Sequence, residues 1–447
     1  MLKKNFNYTP PAALTGSMRD YRYPRGSDLQ DRVEGFYKWQ NLRRQHGLWP
    51  FSRSTDERPS TVTSARDDAG GRFRGVNFAS QDYLSMSSNP AIKKVAQEVI
   101  EEFGVHSAGS AALVGNTSHS VLLERKIAEF LGMEDAILFP TGWAAGYGVI
   151  KGLVRSTDHI VMDALAHTCL QEGAAAATKN IYLFRHNRVE ECRKWLEKIR
   201  AKDVENGIMV VTEGLFSMDS DTPDLVALQA LCDEFDATLM VDVAHDLGNL
   251  GKDGKGFIGD QGMLGKIDLV MGSFSKTFGS NGGFVGCRNR EVKEYLRFFS
   301  PPCTFSNALS PMQAATVLKA FEIIESPEGQ VLRDKLMTNI LSLRSQLQDA
   351  GFEVYGDPSA IVCVKVGSEG LARLVSRRLP RAGLIANLVE FPAVPKGQAR
   401  FRMQVMANHT AENITEAVAA LKASYAAGCE EYEWLESERD KLRVANG

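Results

Sequence analysis

A short apolar strand delivers a lysine among small hydroxyl residues and glycines in Met271-Gly272-Ser273-Phe274-Ser275-Lys276-Thr277-Phe278-Gly279. The amine of a lysine held in this way can form a Schiff base with an aldehyde. The adjacent hydroxyls and backbone N–H groups suit a phosphate ester. The alternative is an exposed lysine beside a serine-rich loop, and this segment alone leaves both interpretations open.

Other short apolar runs also end in Gly, Asp or Ser and lead into helical stretches. This alternation predicts an α/β fold with a mainly parallel sheet. In such sheets the carboxyl ends of the strands face the ligand crevice, so the turns after the strands are the places to look for a site. The predicted strands are 136–139, 159–162, 181–184, 208–212, 238–243 and 269–273.

The pattern differs at both ends of the chain. Residues 1–75 are rich in Arg, Asp, Ser and Pro, and one helix is predicted over 29–45, which indicates an N-terminal arm. A large domain is predicted over 76–325, followed by a small α+β domain with a charged helical tail over 326–447. The elements predicted in that last part are helices at 332–350 and 412–426, and strands at 353–355, 361–366, 385–388 and 399–405.

Composition excludes several classes of function. The 447 residues carry 52 Lys and Arg against 55 Asp and Glu, a net charge of -3, which argues against a nucleic-acid binder driven by overall charge. The seven cysteines occur singly and the eight histidines lack metal-ligand spacing, so we expect no metal and an organic cofactor. We find neither a signal-peptide core nor a transmembrane segment, and expect a cytoplasmic protein.

A second strand end carries Val241-Asp242-Val243-Ala244-His245. An aspartate at this place can keep a pyridine nitrogen protonated, and His245 can hydrogen-bond the phenolic oxygen of the same ring. With Lys276 for the aldehyde and hydroxyls for the phosphate, these residues account for pyridoxal 5'-phosphate. Alternatively, Asp242 is a helix cap and His245 a packed histidine.

Two further turns fit the same cofactor. In Thr141-Gly142-Trp143 a strand turns into a helix whose N-terminus offers N–H groups and a positive dipole end to a phosphate. The segment 163–167 places His167 after the next strand, where its ring could stack on the cofactor. A lone histidine is more often structural, so this interpretation depends on the other motifs.

Taken in order, these segments resemble the α-oxoamine synthases, a family of fold-type I pyridoxal-phosphate enzymes. The resemblance covers about residues 76–425. The motifs that carry it are 77–84 (NFASQDYL), 115–119 (GNTSH), 141–143 (TGW), 163–167 (DALAH), 212–219 (TEGLFSMD), 242–245 (DVAH) and 273–276 (SFSK).

The resemblance implies a role for each residue of the site. Lys276 would be the Schiff-base lysine, Asp242 the partner of the pyridine nitrogen, His245 that of the phenolate, and His167 the stacking ring. These four are the predicted catalytic residues. The implied cofactor contacts are Thr141, Gly142, Trp143, His167, Glu213, Asp242, His245, Ser273, Lys276 and Thr304.

Two segments of the second half carry further implications of the resemblance. Thr304-Phe305-Ser306-Asn307 is similar to the segment that completes the phosphate site from a neighbouring subunit, which implies a homodimer with shared active sites. The run 391–402 is similar to the carboxylate-binding segment, whose second arginine corresponds to Arg402. Arginine suits a bidentate carboxylate, although Arg400 and Arg402 could instead alternate on the solvent face of a strand.

The activity implied is the decarboxylative condensation of glycine, serine or alanine with an acyl thioester of coenzyme A or acyl carrier protein, giving an α-amino ketone. Lys276 would remove the Cα proton. Residues 131–138 and 394–402 favour glycine C-acetyltransferase (2-amino-3-ketobutyrate ligase). The N-terminal arm, with Trp39, Leu48 and Trp49, favours users of longer chains such as serine palmitoyltransferase, if its apolar residues line an acyl tunnel rather than pack on the dimer.

Functions of other classes remain as alternatives. An aminotransferase would share the cofactor and the lysine. Lys276 argues against a catalytically silent partner subunit. A transcription regulator would need a DNA-binding module, which the first 75 residues do not supply.

Five positions depart from the family pattern. Val243 replaces a glutamate and Asp246 replaces a serine. Gln81 replaces an asparagine, Ser85 replaces a glycine, and Ala111 replaces an arginine. Because ring-binding Asp242 and His245 are intact, these departures affect the choice of substrate rather than the cofactor.

Overall fold

The computed structural model describes residues 8–445. The strands are β1 (Ser54–Thr55), β2 (Val62–Arg66), β3 (Arg72–Phe78), β4 (Asp135–Phe139), β5 (His159–Asp163), β6 (Ile181–Phe184), β7 (Ile208–Glu213), β8 (Thr238–Asp242), β9 (Leu269–Ser273), β10 (Gly283–Cys287), β11 (Val354–Tyr355), β12 (Ile361–Gly367), β13 (Leu384–Val389) and β14 (Ala399–Gln404).

The α-helices are α1 (Pro11–Leu14), α2 (Glu34–Gln45), α3 (Pro90–Phe103), α4 (Ser118–Leu131), α5 (Gly142–Leu153), α6 (Thr168–Ala177), α7 (Val189–Arg200), α8 (Leu225–Glu234), α9 (Gly256–Asp260), α10 (Arg290–Phe299), α11 (Pro301–Thr304), α12 (Pro311–Ile324), α13 (Pro327–Asp349), α14 (Glu369–Arg378) and α15 (Ala411–Ala445). None of these helices is both long and apolar enough to cross a membrane.

Residues 8–445 divide into two compact units. One unit comprises residues 8–80 together with residues 338–445, and the other is Gln81–Met337. We call them the terminal unit and the central unit. Residues 8–80 therefore share a compact unit with the C-terminal part of the chain.

The central unit is built on a seven-stranded sheet in the order β4-β10-β9-β8-β7-β5-β6. The pairs from β9 to β6 are all parallel, and only β10 runs antiparallel to its two neighbours. The predicted α/β class and mainly parallel sheet are thus confirmed. Strand β10 was not predicted because its sequence, GFVGC, reads as a glycine-rich turn, although all five residues are buried.

The core of the central unit explains why these segments form strands. All residues of β4, β5, β7 and β9 are buried, as expected of parallel strands covered on both faces. Apolar residues of α5 and α6, such as Val149 and Leu170, pack with Met271 and Val285 of the sheet in one hydrophobic cluster. The sheet is therefore a rigid support for the turns at its carboxyl edge.

The terminal unit has its own seven-stranded sheet, in the order β1-β2-β3-β13-β14-β12-β11. Strand β3 pairs parallel with β13, and the other pairs are antiparallel. Strands β1 to β3 were not predicted. Polar residues such as Arg66, Arg72 and Arg74 conceal the strand pattern because one face of this hairpin is partly exposed.

The two tryptophans of the N-terminal arm belong to the core of the terminal unit. Trp39, Leu48 and Trp49 are buried, and the two indole rings meet edge to face at 5.9 Å. Arg43, fully buried, lies over both rings and donates to the carboxylate of Glu390. These side chains pack on one another and on a buried ion pair, as core residues do.

Candidate active site

Five strands of the central unit end at the same edge of the sheet, although the antiparallel β10 separates β4 from β9, and predicted site residues lie at or after their ends. Thr141 follows β4, His167 follows β5, Glu213 ends β7 and Asp242 ends β8. Lys276 lies three residues after β9. The structure therefore brings these five predicted residues to one edge, as the topology requires.

The turn after β4 is shaped to admit a small group at the N-terminus of α5. Thr141 caps this helix by accepting a hydrogen bond from the backbone N–H of Ala144 at 3.0 Å. A Cβ on Gly142 would lie 2.4 Å from Oγ of Ser273, so only glycine fits beside that serine. The first N–H groups of α5 have no partner within the helix, which suits a phosphate next to the Ser273 hydroxyl.

Trp143, the second residue of α5, extends its ring outward. The side chain is half exposed and stacks on Tyr147 with ring centroids 5.1 Å apart. Its predicted contribution to cofactor binding therefore comes from the backbone N–H, not from the indole.

Lys276 is half-buried and lies within electrostatic range of two buried groups of neighbouring elements. Its positive charge opposes the upward shift of the pKa of the Cys169 thiol, which burial and nearby carboxylates raise. It acts in the same sense on Glu213. The amine therefore lies near the acidic groups at this edge of the sheet.

Asp242 and Glu213 form a buried carboxyl pair. They are register partners on adjacent parallel strands, and both are less than a tenth exposed. Burial first, and then the negative charge of Asp242, raise the pKa of Glu213 well above its usual range. This environment favours the protonated, neutral form of Glu213 beside Asp242.

His245 is fixed by a residue to which the sequence assigned no role. Its Nδ1 lies 2.9 Å from the hydroxyl of Tyr83, and both side chains are buried. The Asn249 amide donates to the backbone carbonyl of His245 at 3.0 Å. Tyr83 lies within the motif 77–84 of the sequence analysis, so its position was marked there, but the sequence alone does not show that it contacts His245.

His167 presents an open ring face. It is exposed and serves as the N-cap of α6, accepting from the backbone N–H of Cys169. Its own backbone N–H bonds to the Glu213 carboxyl. An exposed ring anchored on both sides is suited to stacking on a planar ligand.

A partly buried network that sequence reasoning missed lies next to this turn. The His186 ring contacts Asp163 through Nδ1 at 3.0 Å and Asp221 through Nε2 at 2.9 Å. Burial lowers the pKa of His186, but the hydrogen bonds to both carboxylates outweigh it and raise that pKa to about 10. Because Asp163 begins the turn to His167, the charged imidazole braces that turn against the loop after β7.

Thr304 uses its hydroxyl within its own chain. It donates to the backbone carbonyls of Arg297 and Ser300, at 3.0 and 3.1 Å. The carbonyl of Thr304 accepts from the Ser110 hydroxyl at 2.7 Å, which joins the loops at 109–115 and 304–308. Its predicted contact with a cofactor of the neighbouring subunit stays a prediction.

Arg402 belongs to the terminal unit, on strand β14. Its Nε is buried and has no hydrogen-bond partner there. Arg400 is buried as well, donates to the carbonyl of Gln398 and lies over the ring of Tyr355. The interpretation of these arginines as a solvent face is therefore wrong for Arg400, whereas an orphan donor on Arg402 fits a carboxylate ligand.

Two of the departures from the family pattern have structural consequences. Ser85 adopts φ of +58°, the left-handed conformation that favours the glycine usual at this position. Asp246 is fully buried, accepts from the backbone N–H of Phe257 at 2.8 Å, and has one carboxyl oxygen without a partner. Burial, followed by the charges of Asp242 and Asp260, raises the pKa of Asp246 to about 7.

The sheet, the lysine at one strand end and the aspartate at the next define the class of protein, a fold-type I enzyme that uses pyridoxal 5'-phosphate. Comparison with known proteins narrows this class. Residues 74–421 match the family of class I and II aminotransferases. The chain is 34% identical over 346 residues to 2-amino-3-ketobutyrate coenzyme A ligase of Escherichia coli K12, covering 77% of this chain and 86% of that protein.

Serine palmitoyltransferases are similarly close. The Sphingobacterium spiritivorum enzyme is 32% identical over 391 residues, 87% of this chain and 95% of that protein. A solved serine palmitoyltransferase variant of S. paucimobilis with bound pyridoxal phosphate and myriocin is 28% identical, with a TM-score of 0.83 over 90% of this chain and 99% of that chain. This chain belongs to the α-oxoamine synthases, and the predicted family, cofactor and enzyme class are confirmed.

Proposed function

We propose that this enzyme condenses glycine, serine or alanine with an acyl thioester, releasing carbon dioxide and a free thiol and forming an α-amino ketone. The observation that carries the proposal is the placement of Lys276, Asp242 and Glu213 at adjacent strand ends of the central unit. The names of the relatives support both an acetyl and a long acyl chain. The thioester is carried by coenzyme A or by an acyl carrier protein.

The residues of this chain supply four functions. When bound, pyridoxal phosphate supplies an electron-withdrawing ring that stabilises negative charge at Cα of the amino acid. Lys276 holds the aldehyde and moves the Cα proton, while the Asp242 carboxylate keeps the pyridine nitrogen protonated. His245, oriented by Tyr83, hydrogen-bonds the phenolic oxygen, and the open ring of His167 covers the ligand.

The phosphate and the amino-acid carboxylate need separate anchors. The N-terminus of α5, from Thr141 to Trp143, and the Ser273 hydroxyl bind the phosphate in this proposal. Arg402 binds the carboxylate, an assignment supported by its buried Nε, which has no protein partner among the described residues. A guanidinium can satisfy that donor through a bidentate carboxylate.

The test is release of free thiol from acetyl, decanoyl and palmitoyl coenzyme A with glycine, alanine or serine, with carbon dioxide measured in parallel. We expect one pair to release both products in equal amounts. Transfer of the amino group to a 2-oxo acid without thiol release would indicate an aminotransferase and contradict the proposal. If an amino acid changes the absorption spectrum of the cofactor but no thiol is released, the same assay is repeated with acyl carrier protein thioesters.

Two variants check the role of the lysine. Lys276→Ala should release no thiol. It should also lack the visible absorption of a Schiff base, and borohydride should no longer fix the cofactor to the protein. Lys179→Ala changes an exposed lysine of the same unit and should leave both unchanged. Trapping of the cofactor on Lys276→Ala would refute the assignment.

We further propose a homodimer in which Thr304 of one subunit completes the phosphate site of the other. Leu113, Val114 and Phe305 are 84%, 89% and 86% exposed, and the bond between Ser110 and Thr304 places their two loops side by side. Apolar side chains grouped in this way mark an interface. A dimer should have twice the mass of one chain in solution, and Phe305→Asp should reduce the measured mass to that of a single chain.

The seven free thiols also fit a reducing compartment, the cytoplasm.

A further inference from the structure

A cleft of about 720 Å³ opens within the terminal unit and is lined by an unusual number of arginines. They come from the end of α2, the loop just before β1, the hairpin of β2 and β3, and the segment around the end of α14. We call this feature the arginine cleft. Its arginines are Arg44, Arg53, Arg72, Arg377, Arg378 and Arg381.

The carboxylates of the cleft neutralise only part of this charge. Three acidic residues line it, so the arginines exceed them by three. Asp68 accepts from Arg44 at 2.6 Å, and Glu431 accepts from both Arg377 and Arg378. Asp67 accepts the backbone N–H groups of two residues in the hairpin turn, and its negative charge acts on Arg53 without a hydrogen bond between them.

Three arginines are left without a carboxylate partner within hydrogen-bonding distance among residues 8–445. Arg72 and Arg381 are exposed at the cleft, whereas Arg53 is held against the ring of Phe73, with its Cζ 5.3 Å from the centroid. The Nε of Arg53 is buried and has no hydrogen-bond partner. A buried donor left unpaired costs free energy, and an anionic ligand would satisfy it.

Shape and charge indicate the class of ligand. A volume of about 720 Å³ is far larger than one phosphate and fits a ligand the size of a nucleotide. Planar guanidinium groups bind phosphate oxygens in pairs, and several of them around one cleft suit a ligand with more than one phosphate. The chain as a whole carries a net charge of -3, so the attraction is local to this cleft.

We propose that the arginine cleft binds a nucleoside diphosphate group. Two sources carry this group: a free nucleotide such as ADP, and the nucleotide end of a coenzyme A thioester. The second source rests on the function proposed above, whereas the first does not.

Binding is tested on the full-length protein loaded with pyridoxal phosphate, so that the phosphate subsite of the cofactor is filled. Calorimetric titration with ADP, coenzyme A and inorganic pyrophosphate should show binding that weakens as salt is raised, and adenosine should not bind. The variant Arg72→Glu/Arg381→Glu should weaken ADP binding at least tenfold. Arg25→Glu, an exposed arginine outside the cleft, is the control and should change it less than twofold.

Several outcomes would overturn the proposal. They are the absence of ADP binding to the wild type, binding that survives the double charge reversal, and an equal loss in the Arg25→Glu control. If the double Glu variant does not fold, Arg72→Gln/Arg381→Gln replaces it, with an expected loss of several fold. Unchanged far-ultraviolet circular dichroism and an unchanged urea unfolding midpoint show that each variant is folded.

Activity separates the two sources. If coenzyme A thioesters use the cleft, the double variant raises the KM for acyl coenzyme A with kcat unchanged, and it does not affect acyl pantetheine. If free nucleotides use it, ADP binding falls while the KM for the thioester stays constant. If no thioester releases thiol, the proposed function fails, but ADP binding that is lost in the double variant still supports the cleft as a nucleotide site.

Discussion

The buried carboxyl of Asp246 makes the stability of this enzyme depend on pH in a way that one substitution should remove. Folding raises its pKa from the usual 3.8 to about 7, because burial disfavours the charged form. Such a group supports the folded state only while it is protonated. Its contribution is complete below pH 4 and is lost as the pH rises through 7.

The size of the effect follows from the two pKa values. Each pKa unit of difference corresponds to about 1.4 kcal/mol, so the full shift amounts to about 4 kcal/mol. Between pH 5 and pH 8 the wild type should lose roughly 2–3 kcal/mol relative to a variant that cannot ionise at this position. Asp246→Asn is that variant, since its amide oxygen can still accept from the backbone N–H of Phe257.

The assay is urea unfolding followed by tryptophan fluorescence, on wild type and Asp246→Asn at pH 5 and pH 8. We expect the free energy of unfolding of Asp246→Asn, relative to that of the wild type, to be higher at pH 8 than at pH 5. Glu101→Gln provides a control, because that carboxyl is exposed on α3 and its removal should leave the difference between pH 5 and pH 8 unchanged. A difference between wild type and Asp246→Asn that is equal at both pH values would refute the reasoning.

Three other substitutions test the surroundings of the site. Ser85→Gly should stabilise the protein by up to about 1 kcal/mol in urea unfolding, since it relieves a left-handed backbone conformation; destabilisation would contradict this. His186→Gln should cost about 2 kcal/mol at pH 7 because it removes charged hydrogen bonds to Asp163 and Asp221. That cost should shrink as the pH rises through 10, where His186 itself loses its proton, and a cost independent of pH would contradict the ion pairs. Asp242→Asn should lower thiol release on the order of a hundredfold while the cofactor absorption persists.

The strands of the central unit were predictable because both faces of the sheet are covered. Continuous apolar runs such as 208–212 have no other stable location than a buried sheet, and their bounds agree with β7 to within a residue. The same rule fails for β2 and β3, whose polar side chains lie on a partly exposed face. It fails for β10 as well, because glycines hide an otherwise fully buried strand.

The sequence predicted the chemistry of the site only where the residues involved are close together in the chain and lie in the same turn. Lys276 and Asp242 each follow a strand, so their motifs point to the sheet edge without any structure. The partners that set their properties are far away in the chain: Tyr83 reaches His245 across 162 positions. Residues that the chain scatters, whether around His186 or along the arginine cleft, acquire a common charge environment only through the fold. A net charge of -3 therefore argued against binding driven by the whole chain's charge, and it could not reveal a local surplus of arginines within the terminal unit.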